Sequence, residues 1–388
     1  MPVNPLNYRV SLPSGVLTLT MAKNSAPLFE YVDIGARQNP KRGFLFVSKV
    51  LGRHIPVEPH KVQANHEQIA KKLGDLEGPV IFVGLAETAV GLGQGVFEAW
   101  KREHPTIPAG FVHSTRHLVP GMAVCAKFEE SHSHATSHFI HTPTTDLALF
   151  LDAKSLVIVD DEQSTGATAV ALAIAIKNGL APKLRISVIT SICDWVSETN
   201  RLKAKRTLDS AQMAISWVSI VTGNWNFEPN PLFSCALPSL TEAPPLFSSV
   251  ANNTGRLGLV ASLQDNVDIS TKLIRLADEI ALKSNNQPIL VLGSGECVHY
   301  PLILASILES RGCPVLFQAI SRSPILIGGA FTRSMPVPSP MGCNTPFYLH
   351  NGDPSKFFTV VCLETEDAAK KWVAPFKCEK VWLSTTPA

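Results

Sequence analysis

The chain has 388 residues, more than a single hydrophobic core usually spans, so two domains are expected. Hydrophobic residues make up 45% and charged residues 17%, with a mean hydropathy of +0.14, a balance that suits α/β domains with strands covered on both faces and excludes extensive disorder. A formal net charge of +2 offers no global basic field, which argues against nucleic acid or an anionic membrane as partner.

Eight cysteines lie scattered singly without a C-x-x-C pair, against both a zinc ribbon and a disulfide framework. No signal-like start and no continuous 18-residue apolar run occur, so neither export nor membrane insertion is expected and a cytoplasmic setting fits.

Residues 1–27 combine prolines with alternating runs such as Val16–Thr20, expected to form an edge strand or an arm on the first domain. From 28 to 227, strand-like runs at Phe44–Val50, Val80–Gly84, Leu156–Val159 and Leu184–Ile192 alternate with helical patterns, the mark of βαβ units and a mostly parallel, Rossmann-like sheet. Ahead of the first run, Arg37, Lys41 and Arg42 place three cations within six residues, with Arg53 and His54 just after it. Such a cluster is either a solvated face or a substrate-facing one, and the guanidinium fork matches phosphate oxygens.

Val80–Gly84 runs into Leu85-Ala86-Glu87-Thr88 and then Gly91-x-Gly93-x-Gly95. That glycine spacing is not a dinucleotide fingerprint; Ala86, Glu87 and Thr88 are candidate ligand contacts, and the glycines suit helix packing. His132, His134, His138 and His141 then fall within ten residues, a spacing compatible with zinc, with a catalytic loop or with plain surface histidines.

The most informative segment is Leu156-Val-Ile-Val-Asp160-Asp161-Glu162-Gln-Ser164-Thr165-Gly166-Ala167-Thr168. A short apolar strand ends in acids, where open α/β sheets bind ligands, and short carboxylates there can accept from ribose hydroxyls or hold a hydrated Mg2+. Next, a turn of small hydroxyl residues enters the helix pattern Ala169–Lys177, and the unpaired amides and dipole of a helix start suit a phosphate monoester. A Walker B strand is the competing reading, but no G-x-x-x-x-G-K-[ST] occurs in the chain.

Residues 228–256 are dense in proline among Asn, Ser and Thr, which marks a linker. Beyond it, a helix over Ser270–Lys283, a strand over Pro288–Leu292, a helix over Pro301–Arg311 and a strand over Pro314–Gln318 define a second, smaller α/β domain over 257–388. Gly293-Ser294-Gly295-Glu296 and Ser321-Arg322 follow its strands and form either a second ligand site or a docking surface. A nicotinamide site is disfavoured, with Val298 at the third glycine position and Gln318 where an acid would bind ribose.

Residues 156–168 resemble the 13-residue signature by which type I phosphoribosyltransferases bind phosphoribosyl pyrophosphate (PRPP). The chain more widely resembles the phosphoribosyltransferases of tellurium-resistance-type biosynthetic clusters, which pair a PRPP-binding domain with a C-terminal TRSP domain. Matching stretches include Asn39–Arg42, Leu45–Lys49, Ala86–Ala89, His132–Ala135, Leu292–Glu296 and Ser321–Pro324, the last opening on Ser where the family has Thr.

The resemblance implies a pentosyltransferase that transfers ribose 5-phosphate to a small-molecule acceptor in a nucleoside-like pathway and works as a homodimer. It implies that Asp160 and Asp161 contact the ribose hydroxyls, with Mg2+ on pyrophosphate and ribose, and that Ser164, Thr165, Gly166, Ala167 and Thr168 hold the 5′-phosphate. Ala86–Thr88 would face pyrophosphate, and His132 or His134 would close over the reaction on a mobile loop. A protein that binds PRPP without turnover is the alternative.

Overall fold

The computed structural model describes residues 7–37, 39, 42–129, 137–233, 255–262, 265–323, 325–340 and 346–382. The hairpin β1 (Asn7–Leu12) and β2 (Gly15–Met21) comes first, then the single turn α1 (Leu28–Tyr31) and the antiparallel pair β3 (Val32–Arg37) and β4 (Phe44–Ser48). There follow α2 (Pro59–Leu73), β5 (Val80–Gly84), α3 (Val90–Glu103), β6 (Ala109–His113), the hairpin β7 (Val124–Glu129) and β8 (Ser137–His141), and α4 (Leu147–Leu151). β9 (Ser155–Gln163), α5 (Ala167–Gly179), β10 (Ile186–Asp194), α6 (Glu198–Ser210) and β11 (Ala214–Pro229) complete the first half.

These strands form a seven-stranded sheet in the order β1-β2-β11-β10-β9-β5-β6, parallel from β11 to β6. Every residue of β5 (Val-Ile-Phe-Val-Gly) is buried, as a central strand covered on both faces requires. β11 is the long member: Ala214–Thr222 pairs in parallel with β10, and Gly223–Pro229 pairs antiparallel with β2, which joins the N-terminal hairpin to the sheet.

The crossovers from β5 to β6 and from β9 to β10 leave the adjacent strands β5 and β9 in opposite directions. The carboxyl ends of these two strands are therefore the topological switch point, the usual ligand crevice of an open α/β sheet.

The second half contains α7 (Val267–Ser284), β12 (Ile289–Gly293), α8 (His299–Ser310), β13 (Val315–Ala319), β14 (Ile325–Gly329), β15 (Ser334–Val337), β16 (Phe347–His350), β17 (Phe358–Leu363), α9 (Glu366–Lys371) and β18 (Glu379–Trp382). Four of its strands make a parallel sheet, β13-β12-β17-β18, and β15 pairs with β16. The expected elements appear here within a few residues.

The two halves share more than a boundary. β14 pairs antiparallel with β3, making a small sheet β14-β3-β4 from both ends of the chain. Val57, Val62, Ala86 and Val90 of the first half share one apolar core with Val298, Leu302 and Phe317 of the second. Gly255, at the end of the proline-rich stretch, and Leu259, just past it, bond to His113 and Phe111 on the edge of β6. No helix among the described residues is long and apolar enough to cross a membrane.

Candidate active site

The structure corrects one sequence expectation at the site. The acids do not follow the strand but belong to it: β9 continues to Gln163, with Asp160 opposite Ser191, Glu162 opposite Cys193 and Gln163 opposite Asp194 on β10. The apolar run stops at Val159, but backbone pairing does not depend on apolar side chains and continues while the neighbour strand is present. The Asp160 and Asp161 side chains stay within reach of one another.

Asp160 accepts from the Asp161 backbone N–H at 3.0 Å and from Gln163 Nε2 at 3.2 Å. Glu162 Oε1 receives Arg42 NH2 at 2.5 Å, and the Arg42 guanidinium lies over the rings of Phe44, Phe46 and Trp225. Burial, reinforced by the neighbouring Glu162, raises the Asp161 carboxyl to about 6, while Arg53 pulls the other way. Such crowding of negative charge is the situation a hard divalent cation relieves, and the oxygen donors of Asp160 and Asp161 fit Mg2+. Among the described residues no group of three or more His, Cys, Asp or Glu could hold a metal.

The following turn is set by a glycine. Gly166 is left-handed (φ 74°) and immediately precedes α5, so the chain reverses and presents the first amides of the helix to the carboxyl end of β9. A Cβ at Gly166 would come within 2.5 Å of the Trp217 ring on β11, so only glycine fits. Ser164, Thr165 and Thr168 are half-buried, Ala167 is exposed, and the Ala167 amide donates to Thr165 Oγ1 at 3.3 Å.

Across the crevice, the turn after β5 is tied down at Ala86, whose N–H donates to Ser114 Oγ at 2.9 Å; the Ala86–Glu87 peptide is cis. The Glu87 carboxylate receives Arg53 NH2 at 2.6 Å and Arg322 Nε at 2.9 Å. Burial alone would raise this carboxyl, but the guanidiniums of Arg322 and Arg53 outweigh it and hold it below the ordinary range. Thr88 lines a small cavity with Arg53, His66 and Val298. The glycines of α3 serve packing: a Cβ at Gly93 would strike Gly84, and one at Gly95 the His66 ring.

Arg37 ends β3, half-buried, opposite Ile325 of β14, and Arg42 stands just before β4. Lys41, His132 and His134 lie outside the described residues. The other two histidines of that cluster are buried and engaged: His138 Nδ1 is 3.1 Å from Ser114 Oγ and its ring stacks on Phe128, and His141 Nε2 is 3.3 Å from the His117 carbonyl.

The second-half candidates divide. Gly293 accepts from the Ile320 amide, Ser294 Oγ donates to the Cys362 carbonyl at 2.6 Å, and Gly295 has a φ of 59°. Glu296 is buried at 2% exposure and reaches into the first half, accepting from Thr115 Oγ1 at 2.8 Å and from Arg256 Nε at 2.6 Å. Ser321 is buried and bridges to Tyr348, whereas Arg322 reaches the Glu87 turn. Arg53, Ser114 and Trp217 at the crevice carry no periodic or motif signal; only Arg53 stood near a cation cluster that could draw attention to it.

A parallel sheet with acids and a glycine turn at its switch point is an open α/β architecture of the kind that binds ligands at the carboxyl ends of its strands. A family model of phosphoribosyl transferases matches residues 31–224, and a model of the TRSP domain that lies C-terminal to it matches 253–376. The chain belongs to this phosphoribosyltransferase family and is an enzyme of that class.

No curated protein matches the chain. Among solved structures, adenine phosphoribosyltransferase from Rhodothermus marinus is 15% identical, with 50% of this chain and 95% of that one covered, at a TM-score of 0.33. The enzyme from Thermoanaerobacter pseudethanolicus is 18% identical over 50% and 97%, also at 0.33. That from Trypanosoma brucei, in complex with AMP, pyrophosphate and ribose-5-phosphate, is 12% identical over 55% and 87%, at 0.34.

Proposed function

We propose that the enzyme transfers ribose 5-phosphate from PRPP to a small-molecule acceptor of nucleoside-like metabolism, releasing pyrophosphate, in the crevice between β5 and β9. The observation that carries this reading is the left-handed Gly166, which sets the amino end of α5 beside the acids of β9. In this reading residues 28–227 form the transferase domain, with 1–27 as its arm, and 228–256 link it to the second domain at 257–388.

The turn Ser164–Thr168 and the first amides of α5 hold the 5′-phosphate, with hydroxyls supplementing the helix dipole. Asp160 and Asp161 accept from the ribose hydroxyls and fix the ring for in-line departure of the leaving group. Their negative charge also faces the cation-like ribosyl carbon of the transition state, where electrostatic stabilisation is worth most. The Ala86–Thr88 turn and the cations Arg37, Lys41 and Arg42 meet the leaving group, and His132 or His134 contacts the pyrophosphate or shuttles a proton. Asp160 and Asp161 would hold Mg2+, which would supply positive charge against the departing pyrophosphate.

The test is untargeted mass spectrometry of a metabolite mixture incubated with enzyme, PRPP and Mg2+. One metabolite should disappear as pyrophosphate accumulates in equal amount. Binding of PRPP with no pyrophosphate from any acceptor would contradict transfer.

A further inference from the structure

The Glu87 carboxylate is gripped by two guanidiniums that come from opposite ends of the chain. Arg53 belongs to the bend after β4, and Arg322 to the segment between β13 and β14, 235 residues from its partner. The side-chain exposures are 5% for Arg53, 11% for Glu87 and 19% for Arg322, so all three charges are largely removed from water. Phe347 supports the Arg322 guanidinium from 5.7 Å.

Two features point to a ligand. The two guanidiniums share one carboxylate, and the pair of acceptor oxygens that joins them is the shape a phosphoryl edge also offers. Moreover, Arg53 NH1 is buried without a hydrogen-bond partner, so a donor stands ready and unused. The trio borders the crevice: Arg53 is close enough to Asp161 to lower its pKa, and His117, beside Glu296, senses both Arg322 and Glu87.

We propose that Arg53 and Arg322 together form a diphosphate-binding subsite, and that Glu87 fills it as an internal stand-in while the site is empty. The proposal rests on the donor-site reading above and adds that the C-terminal half is part of the transferase site. A carboxylate and a phosphoryl edge present the same pair of acceptors to a guanidinium fork, so a group already seated on both arginines measures the fit of the anion. A diphosphate brings several negative charges against the single one of Glu87 and displaces it, taking up Arg53 NH1 as well. Arg322 thereby makes pyrophosphate affinity depend on how the second half is docked.

The experiment is calorimetric titration of the full chain with magnesium pyrophosphate and, separately, with ribose 5-phosphate. Arg322→Ala should weaken pyrophosphate binding by about tenfold or more while ribose 5-phosphate binding stays within about twofold. Arg322→Lys, which keeps the charge and spares the fold, should still lose severalfold because the fork is gone. Glu87→Gln should bind pyrophosphate more tightly than the native chain, an effect no purely structural tie produces. Unchanged pyrophosphate binding in both Arg322 variants, or weaker binding in Glu87→Gln, overturns the subsite. Failure of the native chain to bind ribose 5-phosphate overturns the donor-site reading and the subsite with it.

Discussion

Arg256 donates from Nε to Glu296 at 2.6 Å and from NH2 to Glu364 at 3.0 Å, with side-chain exposures of 2%, 1% and 9%. This buried trio, together with Thr115, fastens the second half to the loop after β6. Burial opposes the charge on Glu296, but Arg256 more than offsets it and holds that carboxyl far below the ordinary range; Glu364, where burial prevails, is raised.

Breaking a buried ion pair leaves an uncompensated charge in low dielectric, so Arg256→Met should cost about 3–5 kcal/mol of unfolding free energy. Urea unfolding followed by tryptophan fluorescence measures it. A loss under about 1 kcal/mol would mean that Arg256 is better solvated than its burial indicates.

Gly166→Ala places a Cβ on the Trp217 ring at a left-handed backbone position. The strain should cost about 1–2 kcal/mol and rotate the phosphate turn, so ribose 5-phosphate affinity should fall more than stability does. Paired thermal and calorimetric measurements separate the two effects. Equal affinity in the variant would remove the turn from the phosphate site.

Asp161 links activity and stability with opposite signs. Its carboxyl is raised from 3.8 to about 6 in the fold, so the folded state binds this proton more tightly than the unfolded chain. The resulting stabilisation is full below about pH 4 and is lost as pH rises through about 6. At neutral pH Asp161→Asn should therefore stabilise the free enzyme by about 1–3 kcal/mol, discounted for the coupling to Glu162. The same change should slow PRPP-dependent turnover by roughly ten- to a hundredfold, and native turnover should rise with pH through about 6. Denaturation at pH 5 and pH 8 with a pH–rate profile checks both; a destabilised variant at pH 8 contradicts the sign.

His66 is buried between α2 and α3 with no partner for Nε2, and burial pushes its pKa down to about 3. It is therefore neutral at pH 7, and His66→Leu should change stability by less than about 1.5 kcal/mol. Thermal denaturation reads this directly, and a loss above about 3 kcal/mol would mean that the ring makes a strong polar contact.

Much of the scaffold was legible because buried strands are written as short apolar runs: Val80–Gly84 is a strand to the residue, and the two helices expected after 257 lie within a few residues of α7 and α8. The strand, turn and helix that carry Asp160, Asp161 and Ser164–Thr168 were legible as structure too, because strand, acids, glycine and helix fall in one continuous segment. What local pattern could not carry is pairing between distant residues. The match of β14 to β3, the reach of Glu296 to Thr115 and the convergence of Arg53 and Arg322 on Glu87 depend on the folded path, and none leaves a periodic trace. The acids were placed beyond the strand because hydrophobicity, not hydrogen bonding, was the signal, and β9 keeps its neighbour past the last apolar residue.

The most direct test of the central claim is calorimetric titration of PRPP with Mg2+ into the native chain and into Asp161→Asn. The account expects saturable binding near one PRPP per chain and at least about tenfold weaker binding in the variant. No binding by the native chain, or equal binding by both, would contradict a donor site at the end of β9.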